Sequence, residues 1–312
     1  MLMASFEELA NFIGGGKDRL KTSVINLNGC QRQRPALFCL PPGGGGAYAY
    51  YPLASRLADE RPVYGLVNKC YAVPGWVDES WEAMVGYYVE QIRRTQASGP
   101  YHLLGWSLGG ALALEVAHAL EQAGQEVGFV GLVDTLLPKD VSGLEAEPVE
   151  VVQVARADES LLRGLLAFAP GVGEARIVGF IDEAGRLPAE VDRTEWVIEQ
   201  VAAAGGVSAE RLRAIHEDVH LQREIVDGFA VLDRNVELSQ AFRLRPLAVR
   251  VDCWWASESR SLERVRMGEA GLLAQASVNG LASSTVIADG HEGVINAVAF
   301  VDGLVGRLAG KA

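Results

Sequence analysis

The sequence predicts an α/β protein whose central sheet is mostly parallel and covered by helices on both faces. Two observations predict it. Short apolar runs of strand character lie at 22–28, 35–41, 62–68, 101–105, 128–134, 247–256 and 284–289, and helical patterns with apolar residues at three- and four-residue spacing fall between most of them. Strand, helix and strand repeated in that order is the signature of a parallel sheet buried between helix layers. A third observation, 312 residues of which 49% are hydrophobic, supplies enough apolar material for one large core with an insertion.

Residues 1–21 carry a short apolar-periodic piece, Phe6, Leu9, Ala10, Phe12 and Ile13, followed by Gly14-Gly15-Gly16-Lys17, and read as a helical fragment with a flexible connector. From Thr22 the alternation is regular, with helical segments at about 47–59, 79–96, 108–123 and 292–309. Between Pro138 and Arg245 the strand signal vanishes. What remains is helical pattern, including a long run beginning near Ser208 with Glu210 and Arg211 in its first turn, read as an insertion over the ligand edge of the sheet. The expected organisation is a connector at 1–21, a core built from 22–137 and 246–312, and a helical lid insertion at 138–245.

Composition removes several classes. A net charge of −12 with no run of basic residues disfavours nucleic acid and anionic membrane as partners. No stretch approaches the roughly 18 uninterrupted apolar residues of a membrane span, and the N-terminus lacks a basic region followed by an apolar one. Cys30, Cys39, Cys70 and Cys253 form no C-x-x-C pair, and Cys39 and Cys253 lie in apolar runs suited to buried free thiols. A cytoplasmic setting is expected. Mean hydropathy of +0.12 describes a well-filled globule rather than a disordered chain.

The chemistry concentrates in Tyr101-His102-Leu103-Leu104-Gly105-Trp106-Ser107-Leu108-Gly109-Gly110-Ala111. Here G-x-S-x-G sits between an apolar strand and an Ala/Leu-rich helix, the context of a nucleophile elbow. A sharp turn lifts the serine oxygen out of the sheet and places the next backbone N–H at a helix N-terminus, and Gly105 and Gly109 give strand and helix room to close on each other. Serine needs a base. Of His102, His118, His216, His220 and His291, only His291 has the position that the α/β-hydrolase chain order requires, on a loop after the last strand. Two acids compete for the third place: Asp134, at the end of the strand after the elbow helix, and Glu258, just past Trp254-Trp255-Ala256. The spacing from Ser107 puts Asp134 on the adjacent strand edge and favours it.

Pro41-Pro42-Gly43-Gly44-Gly45-Gly46 follows an early strand, where a second oxyanion donor belongs, so the backbone amides of Gly43 and Leu108 are the expected oxyanion hole. A loose dinucleotide fingerprint over Gly44 to Ala49 lacks the acid expected about 20 residues later, and there is no Gly-Lys-Ser/Thr phosphate loop. His216-Glu217-Asp218-Val219-His220 matches H-E-x-x-H literally, but no third ligand follows at a recognisable spacing. It reads as the solvated face of a charged lid helix, and no metal is expected.

With these residues placed, the chain resembles the type I thioesterase domains that terminate non-ribosomal peptide synthetases and some polyketide synthases. The stretches "VINLNGCQRQRPALFCLPPGGG", "YYPLASRL", "GPYHLLGWSLGGALALEVAHALEQAGQEV" and "GFVGLVDT" carry the likeness, which weakens over the insertion. It implies an α/β-hydrolase fold, a Ser107–His291–Asp134 triad, and an acyl or peptidyl substrate delivered as a thioester on the phosphopantetheine of an upstream carrier protein domain, with no bound cofactor. It also makes residues 1–21 a linker or carrier-domain remnant. Two other readings remain open at this point: a stand-alone editing thioesterase or small-ester hydrolase, and a non-catalytic acyl-carrier docking module on the same fold.

Overall fold

The computed structural model describes residues 22–73, 76–135, 172, 174–188, 190–205, 208–217, 231–257, 281–291 and 293–309. Seven strands, β1 (Val24–Asn26), β2 (Leu37–Leu40), β3 (Val63–Leu66), β4 (Tyr101–Trp106), β5 (Val127–Val133), β6 (Val251–Ala256) and β7 (Leu281–Ile287), form one sheet in the order β1-β3-β2-β4-β5-β6-β7. β1 runs antiparallel to β3 and every other pairing is parallel. All the parallel strands therefore present their C-terminal ends at one edge.

Side chains alternate between two buried layers because the strand period is two. On one face Phe38, Leu40, Leu103, Val130, Leu132, Cys253 and Trp255 pack with α2 (Trp81–Thr95) and α3 (Leu108–Gln122). On the other, Leu37, Cys39, Leu104, Trp106, Val133 and Trp254 pack with α1 (Tyr51–Arg56) and the C-terminal helix. β2 is wholly buried, which is why its sequence reads as an unbroken apolar run. Each such Leu or Phe contributes about 1.5–3 kcal/mol through burial. Ser80 caps α2 by accepting a hydrogen bond from the Ala83 N–H at 3.1 Å, and Gly124 at φ +71° follows α3, as helix ends require.

The chain divides into two compact units. One holds the described residues 172–217, where α4 (Glu174–Gly185), α5 (Arg193–Gly205) and α6 (Ala209–Glu217) bury Ile177, Ile181, Val197, Ile198, Val201 and Leu212 together. Arg213 on α6 pairs with Glu195 and Glu199 on α5. The other unit holds the described residues 22–135 and 231–309. Residues 231–239, within the stretch 138–245 expected to be an insertion, are helical and fall in the unit that holds the sheet. Phe242 is fully buried against Trp81 edge-to-face at 6.3 Å. The Arg243 N–H donates to Glu115 of α3 at 3.2 Å.

The expected helix at 292–309 is also broken. A 3-10 turn at Val294–Asn296 precedes α7 (Val298–Leu308), and Ala297 between them is extended. Residues 1–21, the stretch 136–171 and Glu258 lie outside the described residues.

Candidate active site

The elbow is built as its sequence requires. Ser107 lies between β4 and α3 at φ 58°, ψ −128°, a conformation that side-chain-bearing residues adopt only when the surroundings impose it. The imposing contacts are close. A Cβ on Gly105 would run into the backbone of Gly109 and Gly110, and one on Gly109 would sit 2.6 Å from the Leu40 carbonyl and 2.9 Å from that of Pro41. The start of α3 therefore lies directly against the end of β2 and the loop that follows it. Tyr50, fully buried, ties the same strand ends together: its hydroxyl donates to Leu40 O at 2.7 Å and accepts from the Trp106 N–H at 2.9 Å.

Strand register carries Asp134 to the serine. Trp106 pairs with Val133, and the Ser107 N–H donates to Val133 O at 2.9 Å, so the two residues leave adjacent strands at one level. Asp134 is itself left-handed, at φ +41°. Its backbone N–H donates to Trp254 O at 2.7 Å, and its Oδ1 accepts from the Ala256 N–H at 3.1 Å. With one oxygen fixed by β6, the other faces His291.

His291 sits on the turn after β7. Its Nδ1 lies 2.5 Å from Asp134 Oδ2 and its Nε2 3.1 Å from Ser107 Oγ. The indole N–H of Trp106 donates to the His291 carbonyl at 3.0 Å, and the two rings lie 5.3 Å apart, which locates the backbone of the histidine as well as its ring. Asp134 is almost fully buried while His291 is partly open. A buried carboxylate on Nδ1 favours the tautomer that leaves Nε2 as an acceptor for the serine hydroxyl.

Leu108 is the first residue of α3, so its N–H has no partner within the helix. Gly43 is buried on the loop after β2. The Gly45 N–H donates to Pro42 O at 2.8 Å, the Asn68 N–H to Gly45 O at 2.8 Å and the Tyr71 hydroxyl to Gly44 O at 2.7 Å. Gly45, at φ +76°, has the Cβ of Asn68 within 2.8 Å of where its own would be, so this position needs glycine on both counts.

The remaining histidines go elsewhere. His102, at the opposite end of β4, lies 2.7 Å from Arg61 Nη1 through its Nδ1, and burial with the nearby Arg61 charge lowers its pKa to about 4. His118 faces Pro246 O at 3.3 Å. The H-E-x-x-H stretch reaches only to Glu217 within the described residues, and among those residues no group of three metal-ligating side chains exists. Also among them, no helix is long and apolar enough to cross a membrane. Tyr50, Asn68 and Tyr71 shape the site but carried no signal in sequence, since each acts on backbone carbonyls or amides that only the fold brings near.

Residues 35–155 match the family model described as thioesterase domain. The N-(5-amino-5-carboxypentanoyl)-L-cysteinyl-D-valine synthase of Amycolatopsis lactamdurans is 48% identical over 99 residues, covering 31% of this chain and 3% of that protein. A non-reducing polyketide synthase of Pseudevernia furfuracea is 29% identical over 229 residues, 72% of this chain and 10% of the synthase. This chain spans between 1% and 10% of the length of such curated relatives. Among solved structures, the NocB thioesterase domain from the nocardicin cluster, in covalent complex with a fluorophosphonate nocardicin G analogue, superposes with a TM-score of 0.57 at 21% identity, over 92% of this chain and 100% of that one. Over residues 35–155 the chain is thus similar to thioesterase domains, including those of non-ribosomal peptide and polyketide synthases, and its fold is the α/β-hydrolase fold.

Proposed function

We propose that this chain releases an acyl or peptidyl group from the phosphopantetheine thiol of a carrier protein domain, through an acyl ester on Ser107. The observation that carries the reading is the hydrogen-bonded line from Ser107 Oγ to His291 Nε2 and from His291 Nδ1 to Asp134. An idle fold has no reason to hold a serine in a left-handed conformation beneath an imidazole that a buried carboxylate orients.

In the proposed reaction His291 Nε2 takes the hydroxyl proton as Ser107 Oγ bonds to the thioester carbon. The carbonyl electron pair moves onto oxygen, where the amides of Gly43 and Leu108 receive it. Collapse breaks the carbon–sulfur bond, and the departing thiolate takes its proton from the imidazolium. In the second half His291 deprotonates water or an internal nucleophile of the chain, which attacks the ester. The proton returns to Ser107 as the acid or ring leaves. Asp134 keeps the ring oriented and stabilises its charged form throughout. The similarity to synthases of peptides and polyketides supports a carrier-bound substrate.

Intact-protein mass spectrometry after mixing with an acyl-pantetheine thioester tests this. The native chain is expected to gain the acyl mass transiently and the Ser107→Ala variant never. Absence of both adduct and thiol release, with the free thioester and with a carrier-loaded one, would refute the reading.

A further inference from the structure

We propose that Asn235 is a positioning residue that aims the Gly43 amide at the reacting carbonyl; the inference rests on reading Gly43 as an oxyanion donor. The loop bearing that amide, Pro42-Gly43-Gly44-Gly45, contains three glycines in succession, the residue type with the largest freedom to swing a peptide plane. A donor is useful only if its direction is set before the oxyanion forms.

Each carbonyl of the loop is held. Pro42 O takes the Gly45 N–H, Gly44 O the Tyr71 hydroxyl and Gly45 O the Asn68 N–H. Gly43 O, the one at the pivot, takes the side-chain amide of Asn235 at 2.8 Å. The Pro42–Gly43 peptide is trans, so its N–H points opposite to the Pro42 carbonyl that Gly45 fixes. The Gly43 carbonyl belongs to the next peptide, the middle one of the Pro42–Gly45 turn, and the Asn235 bond keeps that peptide from flipping, so that the Gly45 N–H stays on Pro42 O and the Gly43 N–H keeps its direction.

Asn235 is itself fixed. It is 2% exposed, and its Oδ1 faces the Asn68 side-chain amide at 3.4 Å, which donates to Asp78 Oδ2 at 2.9 Å; the Trp76 indole donates to Asp78 Oδ1 at 3.0 Å. An amide flip would set the Asn235 NH₂ against the Asn68 NH₂ and its oxygen against the Gly43 carbonyl, so the network allows one orientation. From the preceding turn of the same helical stretch, Leu232 occupies the space a Cβ on Gly43 would need. Arg234 donates to Asp78 O at 2.8 Å and to Glu79 O at 3.2 Å, holding that stretch against the loop before α2.

The test compares Asn235→Leu and Asn235→Asp, both close in size and both lacking the donor, with the native chain. The expected result is a 10- to 100-fold fall in kcat for an acyl-pantetheine thioester, below the ~10²–10³ of losing an oxyanion donor outright, with KM within about twofold. Affinity for the matching trifluoromethyl ketone, whose adduct on Ser107 bears the oxyanion, should fall by the same factor as kcat. A second readout separates this inference from the one beneath it. Labelling proline at the carbonyl carbon and glycine at nitrogen leaves three Pro–Gly signals, from Gly43, Gly75 and Gly171, and Pro42→Ala deletes the one belonging to Gly43. That signal should shift on ketone binding in the native chain and lose the shift in both variants. If it stays still in the native chain, Gly43 is not the donor and the underlying reading fails. A shift that survives in the variants with kcat unchanged overturns the role of Asn235 alone. So does a kcat loss without loss of ketone affinity, or failure of both variants to fold, either of which would mark a merely structural contact.

Discussion

Asp134 has one carboxylate oxygen fixed by the Ala256 N–H and the other at His291 Nδ1. That division of labour predicts the effect of Asp134→Asn. The NH₂ group must face either the Ala256 N–H or the ring Nδ1–H, and in the second case the imidazole changes tautomer and turns a proton toward Ser107. Turnover of an acyl-pantetheine thioester should fall by about 10³–10⁴-fold with little change in melting temperature, whereas Glu258→Gln should cost little. The reverse ranking would move the acid to Glu258. Ser107 was legible from its motif and His291 from chain order, because both depend on topology that a short pattern can encode. The placing of Asp134 beside His291 was less so, since a carboxylate at a strand end is common and only register with β4 distinguishes this one. Asn235 was not legible at all: its partner lies 192 positions away.

At the scale of elements, the join between β2 and β4 decides whether the loop and the elbow meet. Tyr50 bridges the two strand ends through Leu40 O and the Trp106 N–H. Tyr50→Phe leaves a buried acceptor and a buried donor without that partner and should lower stability by about 1–3 kcal/mol, read as a fall in urea midpoint at unchanged slope. Because Trp106 precedes Ser107 and also holds the His291 carbonyl, kcat should fall as well. Unchanged stability would show that the bridge contributes nothing net. Gly109→Ala should be harsher, since the obstacles are backbone oxygens of Leu40 and Pro41 that no rotamer change can move. Central strands were readable because both faces are buried, so β2, β4 and β5 appear as apolar runs. The break at Ala297 was not. There Ala297 is extended at φ −62°, ψ 133° between the 3-10 turn and α7, in a stretch whose residues read as continuous helix. The packing of 231–245, with Leu232 at Gly43, Phe242 at Trp81 and Arg243 at Glu115, also escaped: a helical period says which face is apolar, not what covers it.

Across the whole unit, Ser107 leaves one end of β4 and Arg61 anchors the other. Its guanidinium, 2% exposed, donates to Leu308 O at the end of α7 at 2.6 Å and lies 2.7 Å from Nδ1 of His102. Asn28 donates to Arg61 O at 3.0 Å. The end of α7 is thereby fastened to the start of β4, and the fastening requires a neutral His102, whose Nδ1 accepts from the cation. Burial and then the Arg61 charge lower the His102 pKa from 6.5 to about 4. The unfolded chain takes up a proton below about pH 6.5 that the folded chain refuses until about pH 4, so the unfolded state binds more protons in that window and stability rises with pH across it. The contribution is complete above pH 6.5, drains away as pH falls toward 4 and then levels off. A gap of this size amounts to at most about 3 kcal/mol. His102→Gln keeps an acceptor for Arg61 and removes the titration. Urea denaturation at pH 7, 5.5 and 4.5 should therefore show the native chain losing more stability than the variant over that range, the difference growing as pH falls. Parallel losses in the two proteins would place the acid sensitivity on other groups and detach His102 from the clasp.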